Sequence, residues 1–235
     1  MMETILEVRN LKKYYGSGER QVRALDGIDL TIARGEFVAV VGASGSGKTT
    51  LLNMIGGLDV PGEGEVWVDG TALSGLGEEE LAVFRRKKVG FVFQDYNLVP
   101  TLTVEENILF PLDLDGAAAD EAFFRQIVAF LGLEDRLEAY PSDLSGGQQQ
   151  RAAIARALIA RPALILADEP TGSLDTKNGQ NVAGMLKMAV REYHRTLLMI
   201  THNPELALFA DRVLRMEDGK IREQPSWNGM IGRED

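Results

Sequence analysis

Eight residues constrain this chain more than any others: Gly42, Ala43, Ser44, Gly45, Ser46, Gly47, Lys48 and Thr49. They follow the apolar run Phe37 to Val41 and precede Thr50-Leu51-Leu52-Asn53-Met54-Ile55, which reads as a helix. A strand, a glycine loop and a helix in that order make a phosphate site. The glycines let successive backbone N–H groups converge on one concavity with no Cβ in the way. The new helix adds the positive end of its dipole. From this position Lys48 reaches the β- and γ-phosphates of a nucleotide, and the Thr49 hydroxyl can ligate Mg²⁺. A plain strand-to-helix turn also favours glycine, but it does not call for Lys-Thr at this spacing.

The chain has 235 residues, 45% of them hydrophobic, enough for one large α/β domain or two small ones. A net charge of −10, with no long block of lysine and arginine, argues against a nucleic-acid partner. The absence of cysteine excludes a disulfide framework and a thiolate metal site, and it fits a reducing compartment. Met1 to Glu7 carries early acids and no long apolar stretch, so a signal peptide is not expected. No apolar run approaches the ~18 residues that cross a bilayer. The expectation is a soluble protein, and any membrane part belongs to another chain.

Taken in order, Ile5 to Asn10 alternates and reads as an edge strand, and Asp29 to Ile32 as a second strand. Between them, Lys12 to Gly18 reads as a polar loop holding Tyr14 and Tyr15, either of which can stack on a purine or simply pack on the sheet. Glu36 to Val41, Val89 to Phe93, Ala163 to Ala167 and Thr196 to Ile200 are continuous apolar runs, as buried parallel strands require. Gly64 to Val68 is a further strand, and Asp218-Gly219 marks a hairpin near the end. Helical spacing covers Glu78 to Arg86, Thr103 to Phe110, Ala117 to Leu131, a stretch from about 145 to Ala160, and Thr176 to Tyr193. The run Arg85-Arg86-Lys87-Lys88 reads as a solvated helix end. Residues 95–143 form a mostly helical insert in a β/α chain, and the tail 225–235 has no usable pattern.

Asp168 and Glu169 end an apolar strand, and in a parallel sheet the carboxyl ends of the strands form the binding crevice. Asp168 is thereby placed near Mg²⁺, and Glu169 where it can orient or deprotonate a water attacking the γ-phosphate. Strand-end capping explains one acid there more readily than two. Gln94 and His202 fall just after apolar strands too, on the same rim: Gln94 for a metal-bound water, His202 for the γ-phosphate. His194 has no such position and reads as surface.

With these parts in order, and with Leu144-Ser145-Gly146-Gly147-Gln148 between them, the chain resembles the nucleotide-binding subunit of ATP-binding-cassette transporters over nearly its whole length. The resemblance implies a single domain of residues 1–235 on a P-loop core with a mostly parallel central sheet. The core takes in residues 1–94 and 144–224, with an N-terminal antiparallel β subdomain, and 95–143 form an inserted helical subdomain. It implies ATP and Mg²⁺ as ligands, held by Tyr15, the loop from Gly42 through Thr50, Gln94, Ser145, Gly146, Gly147, Gln148 and Asp175, with Thr49, Gln94 and Asp168 toward the metal. Lys48, Gln94, Glu169 and His202 are the implied catalytic set. Tyr15 falls where the family's adenine-stacking aromatic lies. The resemblance further implies a head-to-tail dimer in which each signature, Ser145 to Gln148, closes the other copy's site, and an integral membrane permease that keeps the subunit on the cytoplasmic face. Gly90 to Leu98, Leu144 to Arg151 and Ala167 to Asp175 are similar to exporters of the lipoprotein-release, macrolide and bacitracin type, and Leu112 to Gly116 leans toward the bacitracin members. A regulatory ATPase that drives a permease-like partner without transport would share every one of these motifs. Tyr96, Leu98, Val99 and Leu102 suggest an exposed docking surface for a permease helix, with burial inside the helical insert as the alternative.

Overall fold

The computed structural model describes residues 3–223; the tail 225–235 lies outside the described residues. In chain order the elements are β1 (Thr4–Tyr15), β2 (Val22–Ala33), β3 (Phe37–Val41), α1 (Lys48–Ile55), β4 (Glu63–Val68), β5 (Thr71–Ala72), α2 (Glu78–Lys88), β6 (Val89–Phe93), α3 (Val104–Asp113), α4 (Glu121–Leu131), α5 (Gly146–Ile159), β7 (Leu164–Asp168), α6 (Thr176–Glu192), β8 (Thr196–Thr201), α7 (Pro204–Ala207), β9 (Arg212–Glu217) and β10 (Lys220–Glu223).

The apolar runs make a central sheet in the order β10-β9-β3-β8-β7-β6. Its strands are parallel except β10, which turns back antiparallel on β9. Every residue of β3 and β8 is buried, which is why neither sequence alternates. Within β3 the side chains still divide by parity. Val38 and Val40 join one core, with α1 and the antiparallel sheet β2-β1-β4-β5. Phe37, Ala39 and Val41 join the other, with α3, α4, α5 and α6.

Three expectations change. First, β1 is not an edge strand: it pairs with β2 on one side and β4 on the other, and it runs on to Tyr15, so Lys12 to Tyr15 is strand rather than loop. Register shifts around Leu11, next to Asn10 at φ +45°, break the alternation that would have signalled the longer strand. Second, the helix expected from Ala117 begins at Glu121, because the Asp120 carboxylate accepts from the N–H groups of Ala122 and Phe123, both at 3.1 Å, and caps it there. Third, the basic run ending α2 is tied down rather than simply solvated. Arg85 donates to the Gly57 carbonyl, Arg86 to Asp115 and Lys88 to Asp69.

The chain between β6 and α3 is organised by one side chain. Asn107 is fully buried; its Oδ1 accepts from Val99 N–H at 2.7 Å, and its amide donates to the carbonyls of Val99, Leu102 and Thr103. Asn107→Ala leaves these backbone groups without their partner, so thermal or urea unfolding should show a loss of about 2–3 kcal/mol.

Candidate nucleotide site

The ladder register sets the site. Val41 of β3 lies level with Thr201 of β8, Ile200 with Asp168 of β7, and Asp168 with Phe93 of β6. The residues that follow, the glycine loop, His202, Glu169 and Gln94, therefore emerge side by side at one sheet edge. They open on a cavity of about 490 Å³ lined by Tyr15, Val22, Ala24, Ser44, Gly45, Gly47, Lys48, Thr49, Thr50, Gln94, Glu169 and His202. Ala43 and Ser46 line a neighbouring hollow against Arg215 to Asp218.

The loop has the shape of an anion cradle. Gly47 sits at φ +104°, and a Cβ there would lie 2.1 Å from the Ala24 carbonyl oxygen; on Gly42 it would lie 2.2 Å from that of Met216. Both are backbone collisions, so only glycine fits. Lys48 is buried, and its ammonium donates to the carbonyls of Gly42 at 2.8 Å and Ala43 at 2.9 Å, which uses two of its three N–H groups. The buried Ser46 hydroxyl has no hydrogen-bond partner among the described residues. A buried cation, an unmet hydroxyl and the N-terminus of α1 around one loop fit a phosphate group.

Opposite the loop, the Thr49 hydroxyl stands 3.5 Å from Asp168 Oδ1. Burial pushes the Asp168 carboxyl above the usual carboxylate value; the Thr49 hydrogen bond opposes this, the Glu169 charge adds to it and the Lys48 charge opposes it. Glu169 has a left-handed backbone, φ +45°, which costs a non-glycine residue roughly 1–2 kcal/mol. Its N–H donates to the Ile200 carbonyl, and its Oε2 accepts from His202 N–H at 3.2 Å and lies 2.9 Å from His202 Nδ1. The acid thus holds the imidazole on the cavity rim. Gln94 packs on Gly172, where a Cβ would meet its side chain at 2.8 Å.

Of the two tyrosines, Tyr15 lines the cavity, and its hydroxyl donates to Asp59; Tyr14 donates to Asp26 instead. Val22 and Ala24 are cavity residues that the sequence reading missed. The second strand is expected only from Asp29, but β2 already begins at Val22, and the apolar Val22, Ala24 and Leu25 are the signal that could have extended it. The structure does not bring the signature or Asp175 to this cavity. Ser145 caps α5 and exchanges hydrogen bonds with Gln148, Ser145 N–H donating to Oε1 and Gln148 N–H to Oγ. Asp175 caps α6 through Asn178. Tyr96, Leu98, Val99 and Leu102 are half-buried, and Leu98 packs on the helical core. An apolar groove of about 330 Å³ lies nearby, with Leu58, Phe91, Phe93, Phe110, Pro111 and Leu114 along it and Arg85, Arg86 and Arg156 at its polar margin.

A glycine cradle on one parallel strand, with paired acids two strands across and a histidine between, defines a P-loop nucleoside triphosphatase. The family model described as ABC transporter matches residues 25–172, and the chain belongs to that family as one of its ATPase subunits. It is 45% identical to the bacitracin export ATP-binding protein BceA of Halalkalibacterium halodurans, over 94% of this chain and 88% of that protein. It is 48% identical to the macrolide export ATP-binding/permease protein MacB 1 of Aeromonas hydrophila over 94% of this chain, but it spans only 34% of that longer protein. Its fold superposes with a TM-score of 0.84 on the dimeric post-hydrolysis state of the ATP-binding cassette MJ0796 of Methanocaldococcus jannaschii, bound to ADP and Pi, at 40% identity over 95% of this chain and all of that one. No helix among the described residues is long and apolar enough to cross a membrane.

The burial of Asp168 has a stability consequence. An acid whose folded value is raised favours the folded state once protonated, so its contribution grows as pH falls through that value and is lost as pH rises past it. At neutral pH the ionised group is a cost. Asp168→Asn should raise the melting temperature of the protein without nucleotide by about 2–4 °C, as differential scanning fluorimetry will show.

Proposed function

We propose that two copies of this chain close head to tail around two ATP molecules and drive a membrane permease. The observation that supports this reading most is the separation of two anion-binding elements. The glycine loop lines the cavity, whereas the glycine N–H groups at the start of α5 lie outside it, with Ser145 and Gln148 already satisfying one another. A second phosphate-facing element off the first cavity serves a nucleotide held by another copy.

In each site the glycine loop, Gly42 to Thr50, and Lys48 hold the phosphates, and Tyr15 offers its ring to the adenine. Thr49, Asp168 and Gln94 supply oxygens for Mg²⁺, which when bound neutralises charge on the β- and γ-phosphates. No cluster of three or more acid or histidine side chains that could hold a metal occurs among the described residues, and Mg²⁺ suits a site with few protein ligands completed by phosphate and water. Glu169 orients the attacking water and takes its proton. His202, held through Nδ1 by Glu169, turns its other nitrogen toward the γ-phosphate. Ser145, Gly146, Gly147, Gln148 and Asp175 complete the partner copy's site. Hydrolysis then removes the group that holds the halves together. The helical insert of residues 95–143, with the apolar groove beside it, receives a short cytoplasmic helix of the permease. That places the chain on the inner face of the membrane, with a peptide, lipoprotein or antimicrobial as cargo.

Glu169→Gln should leave ATP binding intact, cut turnover by roughly 10²–10⁴, and convert a monomer into a dimer on size-exclusion chromatography in saturating Mg·ATP. A variant that stays monomeric there would count against the sandwich. Lys48→Ala should abolish tight binding of a fluorescent ATP analogue, whereas Ser145→Arg should bind it normally yet release no phosphate. Equal loss of binding in both would contradict a site completed by the second copy.

A further inference from the structure

We infer that Arg156 is a positioning residue for Gln94, holding the left-handed turn that follows Gln94 and so fixing where its side chain meets the nucleotide cavity. The inference rests on the reading of Gln94 as a group that serves the nucleotide.

Tyr96 and Asn97 lie at φ +60° and +51°, two adjacent non-glycine residues in the left-handed region. That pairing is unfavourable unless something outside the turn holds it. The Arg156 guanidinium supplies the hold. Its two terminal nitrogens donate to adjacent carbonyls, one to Asn97 at 2.5 Å and one to Tyr96 at 2.8 Å. Successive carbonyls point the same way only in helical conformations of either hand, whereas in extended backbone they alternate. A planar fork that takes both carbonyls therefore selects the left-handed turn over an extended one.

Nothing else in the vicinity explains this arginine. Among the described residues its hydrogen bonds go to those two carbonyls and it makes no ion pair. Burial alone lowers its pKa, with no acid alongside to offset it. A half-buried cation used only to hold carbonyls is a costly device unless the geometry it fixes matters.

Helix α5 brackets Gln94 on both sides. Gln150, itself fully buried, donates to the Phe93 carbonyl at 3.4 Å, one residue before Gln94. Arg156 takes the carbonyls two and three residues after it. The same helix begins beside Tyr96, whose hydroxyl lies 2.7 Å from where a Cβ on Gly146 would be. Arg156 and Asn97 also line the apolar groove, so one guanidinium touches both that groove and the chain leading into the nucleotide cavity.

The test is a double-mutant cycle on ATPase kinetics of the full chain, with Arg156→Lys, Gln94→Ala and both together. Melting temperature and fluorescent-nucleotide affinity are measured on the same samples. Lysine keeps the charge but cannot bridge two carbonyls. Arg156→Lys should lower kcat by about 10- to 100-fold through misplacement, with KM and nucleotide affinity within about twofold. The double variant should be no slower than Gln94→Ala alone, because both changes remove one function. Asn97→Val keeps Arg156 but puts a β-branched residue where the backbone is left-handed, and it should reproduce the kcat loss. Full kcat in Arg156→Lys or in Asn97→Val, or losses that multiply in the double variant, would overturn the assignment while leaving the role of Gln94 standing. Full kcat in Gln94→Ala would remove the reading of Gln94 and this inference with it.

Discussion

Backbone hydrogen bonds that hold four parallel strand ends level are the constraint on which the rest depends. The groups that meet at the cavity are far apart in the chain: Thr49 and Asp168, 3.5 Å apart in space, are separated by 119 positions. No loop carries them together. They meet because β3, β8, β7 and β6 keep one register, and because each apolar strand stops where its first functional residue begins. A one-residue slip in that ladder would turn Asp168 toward the opposite face and move its carboxylate away from the glycine loop. The burial of β3 and β8 on both faces is what makes such a slip expensive.

The central sheet and the cavity rim were legible because their signals are short and local. A fully apolar strand cannot hide, and a functional residue placed just beyond it inherits its position. The glycine loop was legible for a related reason: a Cβ at Gly42 or Gly47 would strike backbone, so the sequence there is close to forced. The antiparallel sheet was harder to read. β1 carries a bulge near Leu11 that breaks its alternation, and its partner β4 lies more than fifty residues away, so neither its length nor its interior position shows in a local window. Val22 and Ala24 were lost with it. The charges of α2 were misjudged because Asp69 and Asp115, which pair with Lys88 and Arg86, are distant in sequence.

The helix that begins with the signature emerges as more than a carrier of that motif. Its N-terminus presents glycine N–H groups, its middle joins the core beside the sheet through Ala152, Ile154 and Ala155, and Gln150 and Arg156 reach the chain on either side of Gln94. These contacts place the signature and both anchors of the chain around Gln94 on one helix.

The left-handed backbone of Glu169 has a consequence for how such a protein can change over generations. Glycine or asparagine would adopt that backbone at less cost, and on the proposed reading of Glu169 as the base the acid is kept there for hydrolysis. Selection for heat resistance alone, with activity unmonitored, would tend to drive residue 169 toward glycine early. Ancestral or consensus libraries screened by solubility would drift the same way. On that reading the position reports whether a descendant of this chain still turns over nucleotide: an acid that persists against its own backbone marks a chain still under selection to work.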